Sequence, residues 1–346
     1  MGHHKFRFRV EAVDNSSWNP HQLKWILNQV KDKKILVVGD VGLDRYTIGA
    51  VERISPEAPV PVVLVQDEKL KLGLAANVAD NIQALGGVPW LVGVIGKDRC
   101  AHDVKQLLKR SRIESKNLIV DPTRRTALKE RIVSERQQVV RVDYESLHGI
   151  SSGVEKQIQK KIRLLLSAAD GVIIEDYAKG MMTEKLVNSI VNMALRAKKP
   201  VAVDPNVKTP VHYYRNATLL TPNAKEAEFL SGVSIRDSDS LAKAGFTLLR
   251  LTTASCVVIT LGKEGMAIFN RGRSTVRMIP TYARDVYDVS GAGDTVISVL
   301  MLALVSGATI EQASILGNLA AGVEVGKLGT ATVTIDEIKT ALEFFS

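Results

Sequence analysis

Short apolar runs separated by amphipathic stretches constrain the architecture of this chain more than any other feature. Residues 34–40 read Lys-Ile-Leu-Val-Val-Gly-Asp, apolar and β-branched at successive rather than alternate positions. Such a run suits a strand covered on both faces, because alternation disappears when neither face meets water. Similar runs follow at residues 89–95, 171–175, 200–204, 218–221 and 256–261. Between them, residues 75–85, 103–110, 155–168 and 183–198 carry apolar residues at helical spacing. This alternation predicts an α/β fold with a mostly parallel central sheet between two helical layers. Several runs end at Asp40, Asp176, Asp204 or Asn223. Ligands of open α/β sheets bind outside the carboxyl ends of the strands, so these polar residues are expected to converge on one crevice.

Two segments break the pattern. Residues 45–72 contain Pro56, Pro59 and Pro61 and alternate around positions 60–65; residues 124–143 alternate too, with Lys129, Arg131, Gln137 and Arg141 among apolar neighbours. Period two with one polar face predicts a half-exposed antiparallel sheet. We read the segments at about 45–72 and 121–145 as a small β-sheet lid inserted into one domain spanning 31–346. Residues 1–30 read as an N-terminal extension, with one helix after Asn19-Pro20 that carries Leu23, Trp25, Ile26 and Val30.

A formal net charge of +9 fits either a nucleic-acid binder or an enzyme acting on polyanions. The basic residues are dispersed and no helix-turn-helix, zinc or RNA-binding signature occurs, so an enzyme without a nucleic-acid partner is expected. The 45% apolar content is that of an ordinary globular protein. No apolar run reaches the roughly 18 residues that span a bilayer. The longest, at 296–305, reads as a buried helix. The first 15 residues lack the apolar core of a secretory signal. Cys100 and Cys256 match no metal spacing and read as reduced thiols of a cytoplasmic protein that does not associate with membranes.

The strongest chemical signal is Asp288-Val289-Ser290-Gly291-Ala292-Gly293-Asp294-Thr295, just before the apolar helix. Small residues at a helix entry let backbone N–H groups point at an anion, and the helix dipole adds positive charge there. That suits the oxygens of a transferring phosphoryl group, with Asp294 placed to accept the proton of an attacking hydroxyl. The alternative is an Asp cap on a Gly-rich turn. Other phosphate motifs fail. Residues 322–327 are one position short of a Walker loop and Leu328 follows where Ser or Thr is needed, and the third glycine of a dinucleotide fingerprint is absent after Gly293.

The octapeptide resembles the C-terminal signature of the ribokinase-like (PfkB) carbohydrate kinases, and Gly73-Leu74-Ala75-Ala76-Asn77-Val78-Ala79 resembles their N-terminal one. The runs at 53–63, 137–141, 176–180, 220–223 and 320–330 are similar to those of the heptose-phosphate kinases within that family, over about residues 33–335. The resemblance implies a ribokinase-like three-layer α/β/α sandwich. It implies ATP-dependent phosphorylation of D-glycero-D-manno-heptose 7-phosphate at O1, serving ADP-heptose and lipopolysaccharide core synthesis, with Mg²⁺ and a monovalent cation such as K⁺. Asp294 would be the base, and the N–H groups of Ala292, Gly293 and Asp294 the anion hole behind the Gly291 turn. Asp40, Asp44, Gly73 and Asn77 match sugar contacts, and Lys129, Arg131 and Arg141 would meet the 7-phosphate. Asn223 and Glu226 match the Asn-x-x-Glu that positions magnesium and ATP phosphates. Thr260, Gly262, Gly265 and Asn318 lie on the ATP side, and Asp288 matches a monovalent-cation site. A homodimer through the lid is implied, as is a separate adenylyltransferase, since the His-x-Gly-His of that activity is missing.

Three positions depart from the family pattern: Leu74 replaces a glycine, Asn206 a lysine, and Ser134-Glu135-Arg136 a Ser-Arg pair. They bear on the choice of sugar and leave the reaction type untouched. A kinase for another sugar and a non-catalytic sugar-binding regulator remain open as alternatives.

Overall fold

The apolar runs become the inner strands of one large sheet in the computed structural model, which describes residues 8–13, 18–134, 137–283, 289–327 and 331–344. The strands are β1 (Arg9–Ala12), β2 (Lys34–Gly39), β3 (Val41–Ile54), β4 (Pro61–Leu74), β5 (Val88–Val92), β6 (Val94–Ile95), β7 (Ile119–Val120), β8 (Ala127–Ser134), β9 (Gln137–Tyr144), β10 (Gly171–Glu175), β11 (Val201–Asp204), β12 (Leu219–Leu220), β13 (Cys256–Thr260), β14 (Met266–Asn270) and β15 (Thr275–Ile279). Among the described residues the main sheet has the order β1-β15-β14-β13-β12-β11-β10-β2-β5. It is parallel from β5 to β13, antiparallel through β14 and β15, and closed at one edge by β1 parallel to β15.

Successive residues of β2 feed opposite cores. Ile35 and Val37 join one cluster, Leu36 and Val38 the other. That is why the run has no polar face. The first core is covered by α1 (Pro20–Gln29), α2 (Ala75–Ala84), α3 (Arg99–Arg110), α8 (Ala292–Val305), α9 (Ile310–Glu324) and α10 (Ile335–Phe344). The second is covered by α4 (Ser152–Leu166), α5 (Glu184–Arg196), α6 (Ala224–Ser231) and α7 (Ser238–Thr252). The three-layer α/β/α expectation holds. No helix among the described residues is long and apolar enough to cross a membrane.

Three sequence expectations change. The 89–95 run is two strands, because β5 pairs with β2 while β6 pairs with β7. The described part of the N-terminal segment is built into the body: β1 extends the sheet, and Leu23, Ile26, Leu27 and Val30 bury in the first core. Arg277 ties this edge down, reaching Glu11 at 2.8 Å and Glu311 at 3.0 Å. The lid is a mixed sheet, not an antiparallel one. Its order is β4-β3-β8-β9, with antiparallel hairpins β3–β4 and β8–β9 joined by the parallel pair β3–β8. The two hairpins leave the sheet from separate points of the chain, so no turn dictates their relative direction.

Candidate active site

Asp294 occupies the third position of α8, behind Gly291, whose φ of 95° bends the chain into the helix. A side chain at Gly291 would cost roughly 1–2 kcal/mol in that left-handed conformation. The first intrahelical bond of this turn runs from the Thr295 N–H to the Gly291 carbonyl at 3.0 Å. Of the N–H groups ahead of it, that of Ala292, expected to face an anion, instead donates to the Val289 carbonyl at 3.4 Å, while those of Gly293 and Asp294 lie in the first turn, where a helix offers no internal acceptor. Asp294 itself is buried, and the N-terminus at Gly293 is exposed to the crevice.

Both oxygens of Asp294 are held. Asn77 Nδ2 donates to Oδ2 at 2.6 Å, and Tyr177 Oη donates to Oδ1 at 2.6 Å. Further bonds lock α8 onto α2: Thr295 Oγ1 donates to Asn81 Oδ1 at 3.0 Å and Ser298 Oγ to the Val78 carbonyl at 3.3 Å. Burial pushes the Asp294 carboxyl up to about 6, against the pull of Tyr177, Asn77 and Lys129. A base with a pKa near the working pH combines availability with driving force.

The expected sugar-side residues gather beside it. Asp40 follows the last residue of β2, where the chain passes into β3; its Oδ2 accepts the Lys179 N–H at 3.1 Å, and burial raises it to about 6. Asp44 is buried and paired with Arg131. A Cβ on Gly73 would come within 2.6 Å of Asp44 Oδ2, so a side chain there would displace the Asp44 carboxylate. Lys129 packs its ammonium over the Tyr177 ring at 5.0 Å, and burial lowers its pKa against the attraction of Asp44 and Asp294. Arg141 is different: it lies opposite Arg131 in register, but its exposed guanidinium is turned onto Asp143 at 2.9 and 3.0 Å. Leu74 adopts φ 58°, ψ −141°, a conformation natural to glycine, with its side chain buried near Gly42. Asn206 accepts the Lys208 N–H at 3.0 Å in a local turn, and Glu135 lies outside the described residues.

Across α8 a cavity of about 310 Å³ is lined by Thr260, Gly262, Gly265 and Asn318 together with Ala292 and Gly293. The residues expected from sequence on the ATP side therefore line one cavity with the N-terminus of α8. Asn318 Nδ2 also donates to the Pro280 carbonyl at 2.6 Å. Asn223 bridges to Thr260 and caps α6 in a reciprocal box with Glu226.

The acidic cluster nearest the base was not singled out as a metal site. One carboxylate oxygen from each of Glu175, Asp204 and Asp294 lies within 4.8 Å of the others. Glu175 is fully buried and neither of its oxygens has a partner. Burial, then the neighbouring carboxylates, raise it well above its usual range, and Asp204 likewise. A Cβ on Gly293 would meet only Asp204 Oδ2, at 4.0 Å, so the missing side chain leaves room over the cluster. The two unpartnered oxygens of Glu175, beside the carboxylates of Asp204 and Asp294, are hard ligands that fit a magnesium-sized cation. Glu226 is part of the same field, raising Asp204, but stands outside the trio. Asp288 lies outside the described residues. The signal for Glu175 was its place at the end of a buried strand, one residue before Asp176.

A buried carboxylate in the first turn of a helix, a carboxylate cluster beside it and a cavity against the same helix N-terminus suit phosphoryl transfer. The pfkB family carbohydrate kinase model matches residues 32–337, and the chain belongs to that family. By that membership it is an ATP-dependent sugar kinase. A bifunctional protein HldE from Helicobacter hepaticus is 44% identical over 308 residues, covering 89% of this chain and 63% of its own length. The chain thus spans less than two thirds of that curated relative. Phosphofructokinase-2 from Escherichia coli in complex with potassium shares the fold at a TM-score of 0.75 and 18% identity, over 91% of this chain and 99% of that one. A ribokinase from Arabidopsis thaliana complexed with ribose and ATP does so at 0.73 and 18%, over 91% and 99%.

The two raised carboxyls imply opposite pH trends. The catalytic efficiency kcat/KM is expected to fall as pH drops through about 6, where Asp294 and Asp40 take up protons. Stability of the cation-free protein should instead rise over the same interval. Both groups bind protons more tightly folded than at the ordinary value of 3.8, so the cost of their charge is present above about 6 and is relieved toward 3.8. A pH–rate profile and thermal unfolding between pH 4 and 8 (about the range these groups titrate) check both signs.

Proposed function

We propose that this kinase phosphorylates D-glycero-D-manno-heptose 7-phosphate at O1, giving the 1,7-bisphosphate for ADP-heptose and lipopolysaccharide core synthesis. The observation that carries the reading is the cationic lid wall beside the base. Lys129 and Arg131 stand on β8 directly across from Asp44 and Tyr46, on the strand that leads out of the crevice from Asp40. Arg binds phosphate through a planar fork, which suits a phosphorylated sugar. The similarity to HldE proteins supports the same reading.

In this reading Asp40, Asp44 and Asn77 orient the sugar, and ATP lies in the cavity lined by Thr260, Gly262, Gly265 and Asn318. The acceptor hydroxyl gives its proton to Asp294. Its oxygen forms the bond to the γ-phosphorus as the bond to the bridging oxygen breaks, and ADP leaves with that electron pair. The N–H groups of Gly293 and Asp294 face the charge on the transferred group. Glu175 and Asp204, with Asn223 and Glu226 nearby, would hold Mg²⁺, which when bound neutralises phosphate charge. A K⁺ requirement through Asp288 is part of the proposal, as is passage of the product to an adenylyltransferase.

ADP release across a panel of sugars and sugar phosphates tests the assignment. Heptose 7-phosphate should saturate, and Lys129→Ala and Arg131→Ala should each raise its KM by about tenfold or more, the loss of one charge-assisted contact. Faster turnover of unphosphorylated ribose or fructose would overturn the substrate. We also propose that two copies pair through their lids. Ile54, Val60, Leu64, Val65 and Val140 are exposed on it, and β4 and β9 are open edges. Light scattering should give twice the chain mass, and Leu64→Lys should halve it.

A further inference from the structure

Asp294 is gripped from two elements. Asn77 reaches it from α2, and Tyr177 from the turn after β10. A carboxylate bonded through both oxygens cannot rotate without losing one bond. The Tyr177 turn is itself pinned. Ala178 takes φ 52°, its N–H donates to Asp176 Oδ1 at 2.7 Å, and the next N–H donates to Asp40. Arg124, buried beneath, donates to the Lys179 carbonyl and to the Ser146 carbonyl. The backbone that carries Tyr177 is thus held in place, and the Lys129 ammonium lies 5.0 Å from its ring.

We infer that Tyr177 is a positioning residue for phosphoryl transfer: its hydroxyl fixes the carboxylate of Asp294 toward the acceptor hydroxyl, and its ring seats Lys129, linking lid strand β8 to the orientation of the base. This rests on Asp294 being the base. The bond from Tyr177 is to a charged group, the kind whose loss costs most.

Tyr177→Phe keeps the ring and its contact with Lys129 and removes only the donor. With heptose 7-phosphate and ATP, kcat should fall about ten- to a hundredfold, the range for losing a hydrogen bond to a charged group. The KM values for both substrates should stay within about twofold, since a group that acts through the base adds nothing to ground-state binding. ATP binding should match the parent, and the unfolding temperature should fall only by what one lost hydrogen bond costs, with the folded state still fully populated at the assay temperature. In the double variant with Asp294→Asn, the added Tyr177→Phe should cost nothing further, because both changes act on one group. Unchanged kcat in Tyr177→Phe overturns the inference. So does a raised acceptor KM at constant kcat, which would make Tyr177 a sugar contact, and so does an additive loss in the double variant. The two readings fail separately: an active Asp294→Asn removes the base, whereas an inactive Asp294→Asn beside a fully active Tyr177→Phe removes only the role of Tyr177.

Discussion

Asp294→Asn is expected to lose about 10²–10⁴-fold in turnover while ATP binding survives, the range for removing a general base. The amide is nearly isosteric, and either of its polar atoms can sit where a carboxylate oxygen sits, so α8 and the anion hole should stay in place. What disappears is the acceptor for the hydroxyl proton. The ATP-side cavity is lined by backbone and side chains of other residues, including Thr260, Gly262 and Asn318, so the nucleotide has no reason to leave. Calorimetric ATP titration beside a turnover assay separates the two effects. Near-normal turnover would leave Asp294 as a helix-capping acid, the alternative that the Gly-rich turn allowed.

Glu175→Gln should move activity and stability in opposite directions. In the parent, a fully buried carboxyl with two unpartnered oxygens faces Asp204 and Asp294. Its proton is held well above the usual carboxylate range by burial first and by those neighbours next. Without a cation this charge opposes folding, and the penalty grows as pH rises through the raised pKa. Glutamine removes the charge, so the cation-free variant should unfold at a higher temperature than the parent near neutral pH. The same change removes one ligand for Mg²⁺. The concentration giving half-maximal rate should rise about 10–100-fold, as when a metal site loses a supporting group. Added Mg²⁺ should then stabilise the parent more than the variant, since a ligand of the folded state stabilises by RT ln(1 + [L]/Kd), which shrinks as Kd rises. An unchanged Mg²⁺ dependence would remove Glu175 from the cation cradle.

The features legible before folding are the local ones. The apolar runs at 34–40 and 171–175 could only be strands covered on both faces, since successive rather than alternate positions are apolar. The Gly291 turn announced a helix entry with backbone donors, and the cavity walls at Thr260, Gly265 and Asn318 followed from the family resemblance. The lid was legible as two alternating segments, but the direction of pairing between them was not, because the contact of β3 with β8 joins residues with no turn between them. The N-terminal strand was missed for the same reason: its partner, β15, lies at the far end of the chain.

The base illustrates the division most clearly. Sequence by itself determined that a carboxylate stands at the N-terminus of an apolar helix behind a run of small residues, because those are properties of the chain over a few residues. Only the tertiary structure decided what that carboxylate meets. Asn77 and Tyr177 come to it across 217 and 117 residues, and Glu175 and Asp204 come to it from the ends of two neighbouring strands. Burial raises its pKa against the pull of Tyr177 and Asn77, those two bonds hold its orientation, and the neighbouring carboxylates form the cradle for a cation. They depend on desolvation and on the order of strands in the sheet, which are properties of the packed molecule and of no single segment.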